Sequence, residues 1–495
     1  MNGSVETPGL KSFIISVGSL ISARSFVAIS QILVLPILAR QLTVEDFGLM
    51  GLAMTLVIFA NTLSDGGMGR SLIRREDADE VEWSSVNWLM IGAGVACTVF
   101  VAGLSPLAAR YFDSDRLVPL LLVMSVIPLF YALTAAPNAE IERRENYSGI
   151  AKVQVIATVA GIVFAVAGAF AGIGVWALVG QQVMLAAVRM VGIFMLSHFR
   201  PSFAFSTQGL RPHLIYARDT LASAFLTVIR QQLPIMMISR VLGQIPLGYF
   251  AMAQRFNRLP QFGLAGPMSS VIYVRMSKAQ KSPEKLRDIY YAGMRLLSVL
   301  LIPSMTMVAV AGRPVFSVLL SPEWTPVAML FALTIGGLVL EAIAIFFMQA
   351  LFRAVSRTDL LLRTSIEGVI VRIVMVLIAL QFSLEAVALS FTLWSLIMVP
   401  RNWQLGARLV PITLKGCLAQ LIPSSLVAAA VAITYLWIEH LTELPNVAYF
   451  LIAAALGVLG IALTVLIDRQ KSKSALAVFR HTPQGLTPAT PAVGP

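Results

Sequence analysis

Long apolar runs alternate with short polar breaks along almost the whole chain. Fourteen of these runs are about 20 residues or longer, the length that an α-helix needs to cross the hydrocarbon core of a bilayer. They cover residues 13–38, 47–69, 86–107, 117–138, 150–171, 174–197, 214–242, 246–274, 289–312, 325–350, 360–380, 384–405, 417–438 and 446–467. Because a backbone in lipid must satisfy its own hydrogen bonds, the pattern predicts an all-α integral membrane protein with about 14 transmembrane helices.

The pattern also repeats within the chain. Residues 35–53 laid on residues 235–253 pair Arg40 with Arg240 and Gly48 with Gly248. The other matches at this offset are Ala39 with Ser239, Leu42 with Leu242 and Ala53 with Ala253. Internal repeats of this kind are common in secondary transporters. We therefore expect two pseudo-symmetric lobes of six helices each, followed by a C-terminal helix pair.

Breaks in the pattern divide the chain into parts. These are a cytoplasmic N-terminus at 1–12, a first six-helix lobe at 13–205, a second at 214–407, helices 13 and 14 at 417–467, and a Pro/Thr/Ala-rich tail at 468–495 that we expect to be disordered. The two spans of the helix pair, 417–438 and 446–467, contain no Lys, Arg, Asp or Glu. They are either a lipid-facing support or a groove for a lipid tail.

Composition excludes a soluble protein. The chain is 57% hydrophobic and 13% charged, and its mean hydropathy is +0.81, whereas soluble domains carry about 25% charged residues. If the N-terminus is cytoplasmic, 24 of the 37 basic residues fall in one alternating set of loops and five in the other. By the positive-inside rule, this asymmetry predicts an even number of spans with both termini in the cytoplasm.

Eight basic residues lie within the predicted spans. Those near midspan are Arg24, Arg230, Arg258 and Arg372, with Arg255 one turn from Arg258 on the same helix face. An arginine at the bilayer centre costs about 2.5–3.5 kcal/mol on insertion scales, so we expect these five to face a partner or a wet cavity. Arg218 and Arg295 lie close enough to span ends to reach the interface.

Acidic residues in the spans are few. Glu341 lies deep in the tenth span and Asp65 at the end of the second, and both are candidates for coupling transport to an ion. Glu341 either neutralises an arginine across the bundle or carries a coupling proton. The interior is net positive either way, which favours an anionic substrate. Guanidinium groups bind phosphate through paired donors.

Several classes of function find no support in the sequence. There is no phosphate-binding G-x-x-x-x-G-K-[ST] loop, no H-E-x-x-H and no Cys/His cluster, so neither a cofactor nor a metal site is expected. Cys97 and Cys417 lie in apolar runs and are expected to be inert core thiols. The longest loops are about 15 residues, too short for a catalytic domain. We expect a protein that is not an enzyme and does not bind nucleic acid.

Two stretches carry a resemblance to a known family. The first is LPILARQLTVEDFGLMGLAMTLVIFANTLSDGGMGRSLIRRED, in which one helix ends at an L-A-R-x-L turn and the next at a G-x-G and a basic pair. The second is AQRFNRLPQFGLAGPMSSVIYVRMSKAQ, which has Val274-Arg275-Met276 where the family has a proline before the closing serine. Over residues 10–410 the chain resembles the bacterial polysaccharide flippases, the Wzx-like branch of the multidrug/oligosaccharidyl-lipid/polysaccharide exporter superfamily.

The resemblance implies a central cleft lined by helices 1, 2, 7 and 8 and a mechanism of alternating access. It implies a polyprenyl-pyrophosphate-linked oligosaccharide as substrate and the bacterial inner membrane as location, among membrane lipids and beside a polysaccharide polymerase and chain-length or export proteins. The candidate substrate-binding residues are then Arg24, Arg230, Arg255, Arg258 and Arg372.

Three other functions stay open at this point. A lipid-linked peptidoglycan precursor flippase and a drug/cation antiporter belong to the same superfamily. A cation exporter needs acidic residues along its path, and here the charge has the opposite sign. A membrane-embedded glycan ligase or polymerase would need a large periplasmic loop, which the sequence lacks.

Overall fold

The computed structural model describes residues 26–27, 29–31, 33–65, 68–75, 79–207, 210–259 and 264–469. All regular structure in these ranges is helical, and no strand occurs in them. This agrees with the predicted all-α membrane protein. Arg24, the N-terminus 1–12 and residues 470–495 of the predicted tail lie outside the described ranges.

The helices of the first half follow the predicted runs. They are α1 (Ile29–Gln41), α2 (Val44–Asp65), α3 (Met68–Arg74), α4 (Glu80–Tyr111), α5 (Leu117–Met124), α6 (Val126–Arg143), α7 (Tyr147–Phe170), α8 (Val175–Leu196), α9 (Leu210–Leu242) and α10 (Gln244–Leu259). The predicted run 246–274 is divided between α10 and α11 (Gly266–Lys278).

The second half continues in the same way. Its helices are α12 (Pro283–Val310), α13 (Gly312–Leu319), α14 (Pro326–Leu340), α15 (Phe346–Ala354), α16 (Thr358–Ala379), α17 (Leu384–Gly406), α18 (Leu414–Leu441) and α19 (Asn446–Ile467). A π-helical segment, Glu341–Ile345, joins α14 to α15 within the predicted tenth span.

Ten helical stretches in the described ranges are long and apolar enough to cross a membrane. Three further predicted spans, on α9, α10 and α16, are not among them. These three helices contain most of the intramembrane arginines, which lower their hydropathy, and α10, with 16 residues, is also shorter than a full span. The predicted first span is described only in part, through α1. Each predicted run nevertheless lies mainly on helical residues where the structure describes it, with single breaks such as Ser125 within the run 117–138.

Contacts divide the chain into two compact units. Unit 1 takes in the chain up to Gly263, Gly312–Ile335 and Ser365–Trp394, and unit 2 takes in Leu264–Ala311, Gly336–Thr364 and the chain from Ser395 onward. This division does not follow the predicted lobes 13–205 and 214–407, which stay a prediction. The whole of α9, which opens the predicted second lobe, belongs to unit 1.

A buried polar network holds the start of α9 in unit 1. The His213 side chain is fully buried, with Nδ1 2.5 Å from the Ser71 hydroxyl and Nε2 2.6 Å from a carboxylate oxygen of Glu82. Arg75 donates to the same Glu82 oxygen at 2.7 Å. Leu210 joins the apolar cluster formed by α3, α4 and α6 around the network. The helix that opens the predicted second lobe therefore begins packed against helices of the first.

Helices α2 and α10 cross at two glycines that are partners in the predicted repeat. A Cβ atom added to Gly48 would lie 2.0 Å from the carbonyl oxygen of Gln244, and one added to Gly248 would lie 2.1 Å from the carbonyl oxygen of Val44. The two contacts are reciprocal, because each glycine meets the residue four positions before the other. Such symmetry is expected when two copies of a repeat pack about a pseudo-two-fold axis.

In unit 2 the helix pair α18 and α19 packs on α12. The guanidinium of Arg295 on α12 lies 3.1 Å from the carboxylate of Asp468 and donates to the Ala419 carbonyl at 3.2 Å. The Arg295 and Asp468 side chains are only 6% and 10% exposed. Arg295 is thus neutralised inside the unit by an acid just after α19, and its predicted place near a span end stays a prediction. Asp468, assigned to the predicted tail, is held by this ion pair.

The helix crossing leads to a stability prediction. Gly48→Ala should lower the thermal unfolding temperature and the membrane abundance strongly, because the new methyl group meets backbone that cannot rotate away, and overpacking costs about 1–3 kcal/mol. Gly51→Ala is the matched control one turn further on, where a Cβ would meet only the Ala251 side chain at 3.6 Å, an ordinary contact. Equal stability of the two variants would contradict the crossing.

Candidate functional site

Two arginines on α10 form the centre of the candidate site. Arg255 and Arg258 are one turn apart and therefore share a face of the helix. The Arg255 side chain is partly buried and that of Arg258 is exposed. Within the described ranges neither guanidinium has a carboxylate or carbonyl partner. Two adjacent cations of a predicted membrane helix thus have no protein counter-charge there.

Arg255 has one specific contact, with an aromatic ring on α2. Its guanidinium carbon lies 5.2 Å from the ring centroid of Phe47. A contact with a phenyl ring uses none of the guanidinium N–H groups in a hydrogen bond to oxygen or nitrogen. Those donors remain able to bind a planar or tetrahedral oxyanion.

Uncharged polar groups lie on the same part of α10. The Asn257 amide donates to the Thr334 hydroxyl at 2.6 Å, while its Oδ1 atom is buried and accepts no hydrogen bond from the described residues. In the same part of the structure the Nε2 atom of Gln254 is also buried without a hydrogen-bond acceptor. Buried polar groups without partners cost free energy, so their presence beside two cations is typical of a place where a polar ligand or water binds.

The other predicted site residues are not all brought together. Arg230 is partly buried on α9, one turn before Pro234, and α9 packs against both α2 and α10. Arg24 lies outside the described residues, as does the side chain of Asp65 at the end of α2. Glu341 is buried in unit 2 at the start of the π-helical segment, a kind of irregularity that is frequent at functional sites.

Arg372 has surroundings that differ from those of the α10 arginines. Its side chain is 4% exposed, and its guanidinium carbon lies 4.2 Å from the Phe391 ring centroid and 4.0 Å from that of Trp394. The Trp394 indole in turn donates to the Gly368 carbonyl at 2.8 Å. An arginine stacked on two rings and closed off from solvent is well placed to hold α16 against α17 and poorly placed to meet a ligand.

Two further arginines, missed as site residues from the sequence, make cross contacts at the ends of α1 and α9. Arg40 donates to the carbonyls of Val318 and Leu320, both at 3.0 Å, at the end of α13. Arg240, its repeat partner, forms an ion pair with Asp113 at 2.6 Å beyond the end of α4. Each arginine therefore ties its own repeat to the connection that follows the third helix of the other. The repeat itself was the available signal, since it pairs Arg40 with Arg240.

Comparisons with known proteins found a matching family model and several relatives of similar sequence. A family model for polysaccharide biosynthesis proteins matches residues 37–329. The chain is 27% identical over 276 residues to the lipopolysaccharide biosynthesis protein WzxC of Escherichia coli (strain K12), covering 54% of this chain and 55% of WzxC. It is 28% identical over 352 residues to the succinoglycan biosynthesis transport protein ExoT of Rhizobium meliloti (strain 1021), covering 68% of this chain and 71% of ExoT.

Solved structures give the same architecture at low sequence identity. The lipid II flippase MurJ, in an inward closed conformation, superposes with a TM-score of 0.74 at 15% identity over 93% of this chain and 99% of MurJ. An inward-facing multidrug resistance transporter of the MATE family superposes with a TM-score of 0.61 at 16% identity over 78% of this chain and 98% of the transporter. The chain is a multi-pass membrane protein with this fold, and, since the family model covers more than half of it, it belongs to the polysaccharide biosynthesis protein family, as its resemblance to the bacterial polysaccharide flippases predicted.

Proposed function

We propose that this protein is a flippase that moves a polyprenyl-pyrophosphate-linked oligosaccharide repeat unit across the bacterial inner membrane, for assembly of an exopolysaccharide, capsule or O-antigen. The observation that carries the proposal is the pair Arg255 and Arg258, two membrane-helix cations without a counter-charge in the described ranges. The relatives support it, because WzxC is named for lipopolysaccharide biosynthesis and ExoT for succinoglycan transport. The work is transport, so no catalytic residues are assigned.

The charge pattern favours a pyrophosphate as the recognised group. An unneutralised arginine within the membrane is costly, and a second one nearby adds repulsion. An anionic cargo removes both costs while it is bound. Pyrophosphate presents several oxygens to the paired donors of a guanidinium, and two arginines one turn apart can share one such group. Arg230 and Arg24 complete the proposed set from α9 and from the first span. Glu341 and Asp65 stay candidates for ion coupling.

The cross contacts of Arg40 and Arg240 supply the closed end of the proposed path. Opening at that end must break the Arg240–Asp113 ion pair and the two bonds from Arg40 to the end of α13. In this proposal the cargo reaches the arginines of α10 from the other end, and release follows separation of α2 from α10.

A flippase for a lipid-linked peptidoglycan precursor is the second candidate. The likeness of the whole fold to the lipid II flippase MurJ favours it, and its cargo would meet the same arginines. Deleting the gene and identifying the lipid-linked saccharide that accumulates on the cytoplasmic side separates the two. A drug/cation antiporter is disfavoured, since a cationic cargo would be repelled by Arg255 and Arg258.

The proposed site is tested by substituting its arginines one at a time. Arg255→Ala, Arg258→Ala and Arg24→Ala should each reduce polymer export about tenfold or more at normal membrane abundance, because a charge-assisted bond to phosphate contributes about 1.5–3 kcal/mol. Lysine variants should retain part of the export, since they keep the charge and lose the paired donors. The matched control is Arg110→Ala, an exposed arginine at the end of α4.

Normal export by Arg255→Ala and Arg258→Ala at normal abundance would exclude the α10 pair as the substrate site. If Arg24 instead pairs with Glu341, Arg24→Ala would lower abundance. Adding Glu341→Ala would then restore part of it, because the stranded buried charge would be gone.

The closed end is tested with a single cysteine on α2, whose accessibility should depend on the contacts made by Arg40 and Arg240. In a Cys97→Ala/Cys417→Ala background, Gly51→Cys lies between α2 and α10 and should react slowly with a membrane-impermeant thiol reagent in intact cells. Adding Asp113→Asn should raise the labelling rate about two- to fivefold, the effect of an exposed ion pair of up to about 1 kcal/mol.

Arg40→Ala should raise the Gly51→Cys labelling rate further than Asp113→Asn does, because it removes two bonds. Asp115→Asn, in the same connection and without an ion pair in the described ranges, should leave the rate unchanged. Unchanged labelling in both Asp113→Asn and Arg40→Ala would refute the closed end.

Membrane orientation is proposed with both termini in the cytoplasm. Single cysteines introduced in the loops around Arg74, Arg144 and Lys281 should then resist the impermeant reagent in intact cells and react after permeabilisation. A cysteine in place of the exposed Asp115, between α4 and α5, is the control that should react in intact cells. Labelling of two of the three loop positions in intact cells would show that the fourteen-span topology is wrong.

A further inference from the structure

Phe47 is an aromatic residue that contacts Arg255, an arginine of the proposed site. It lies on α2 and is 1% exposed. Arg255, whose guanidinium lies over the ring at 5.2 Å, comes from α10. The ring supplies no hydrogen bond and no charge, so its effect on Arg255 is one of placement.

The ring of Phe47 is itself held in one orientation. The Trp324 ring meets it edge-on at 5.1 Å with an interplanar angle of 88°. Trp324 is fully buried, and its indole N–H donates to the Ala39 carbonyl at 2.9 Å. The Tyr249 ring also packs edge-on against the Trp324 ring, with the two ring centroids 6.0 Å apart. Edge-to-face pairs of this kind are favourable beyond the area they bury, so the Phe47 ring has little freedom to turn.

We propose that Phe47 is a positioning residue for the anion site: its fixed ring holds the Arg255 guanidinium through a cation–π contact, so that the N–H donors stay available to the phosphate groups of the cargo. The inference rests on the proposed function, since it assumes that Arg255 binds an anion. Without the ring, a long arginine side chain would spread over many rotamers, and ordering it on binding would weaken affinity.

The location of Phe47 ties this positioning to the helix crossing. Phe47 directly precedes Gly48, whose reciprocal contact with α10 sets the distance between the two helices. The contact between Phe47 and Arg255 therefore requires α2 and α10 to be packed together. When they separate, Arg255 loses its platform and the anion is held less tightly, which favours release at the end that has opened.

The inference is tested by binding of farnesyl pyrophosphate to the purified full-length protein in detergent. Phe47→Leu keeps an apolar side chain and removes the ring face, and should weaken binding about three- to tenfold, the size of a partly buried cation–π contact. Phe47→Met, which fills a similar volume, is a second variant in case the first is unstable, and should weaken binding equally. Phe47→Tyr keeps the ring face and should bind normally.

The decisive measurement is a double-variant cycle. Once Arg255→Ala has been introduced, adding Phe47→Leu should cause no further loss of affinity, because the ring acts only through that arginine. The matched control is Phe256→Leu on α10, whose ring packs edge-on against Phe316 at 5.1 Å and contacts no guanidinium in the described ranges. It should lower the unfolding temperature and leave affinity unchanged.

The outcomes separate the inference from the function on which it rests. Normal binding by Arg255→Ala would overturn the arginine site and the proposed function with it. Weakened binding by Arg255→Ala together with normal binding by Phe47→Leu and Phe47→Met would overturn the positioning role alone. Equal losses from Phe47→Leu with and without Arg255→Ala would reduce Phe47 to a packing residue.

Discussion

The close approach of α2 and α10 is the constraint on which the rest of the site depends. Two glycines let the backbones meet, and no other residue type would allow that distance. The approach brings the Phe47 ring of one repeat under the Arg255 guanidinium of the other. Close packing between two backbones therefore positions a charged group of the proposed site.

Intramembrane arginines in this protein have distinct kinds of environment. Arg295 is neutralised by an acid, Arg372 is enclosed by aromatic rings, and Arg255 and Arg258 have no protein counter-charge within the described ranges. The first two arrangements contribute to structure at modest cost. The third arrangement leaves Arg255 and Arg258 as two charges that are stabilised when an anionic ligand binds beside them. A transporter of an anionic cargo needs such a site, because fully neutralised arginines would contribute little free energy to binding that cargo.

Much of the fold could be predicted from the sequence because lipid permits few alternatives. A long apolar run must be helical, so even α9, α10 and α16 were located despite their charges. The repeat paired Gly48 with Gly248, but only the structure showed that the two helices cross at these glycines. The partners of the arginines could not be predicted in the same way. Asp468 is distant from Arg295 in sequence, and the rings around Arg372 are common residues that carry no signal of their own.

The candidate site could be predicted only in part for the same reason, because the partners of its arginines cannot be read from the sequence. The depth of an arginine in a span shows that its charge costs free energy in the membrane. It does not show whether an acid, an aromatic ring or a ligand offsets that cost. Arg258 and Arg372 therefore looked alike from the sequence and differ in the structure. Pairing across a repeat was a better guide, since it linked Arg40 with Arg240, but the sequence did not show what those residues bind.

The ion pair between Arg295 and Asp468 has a consequence for how the protein is made. Arg295 enters the membrane with the ninth span, and the acid that neutralises it is synthesised only after the last one. Until translation reaches that point, the Arg295 guanidinium lacks both its carboxylate partner and its packing against α18 and α19. A chain that stops early would retain that defect permanently and present it to the membrane's quality-control proteases. The residue just after α19 thus distinguishes a chain that has completed α18 and α19 from one interrupted before that point.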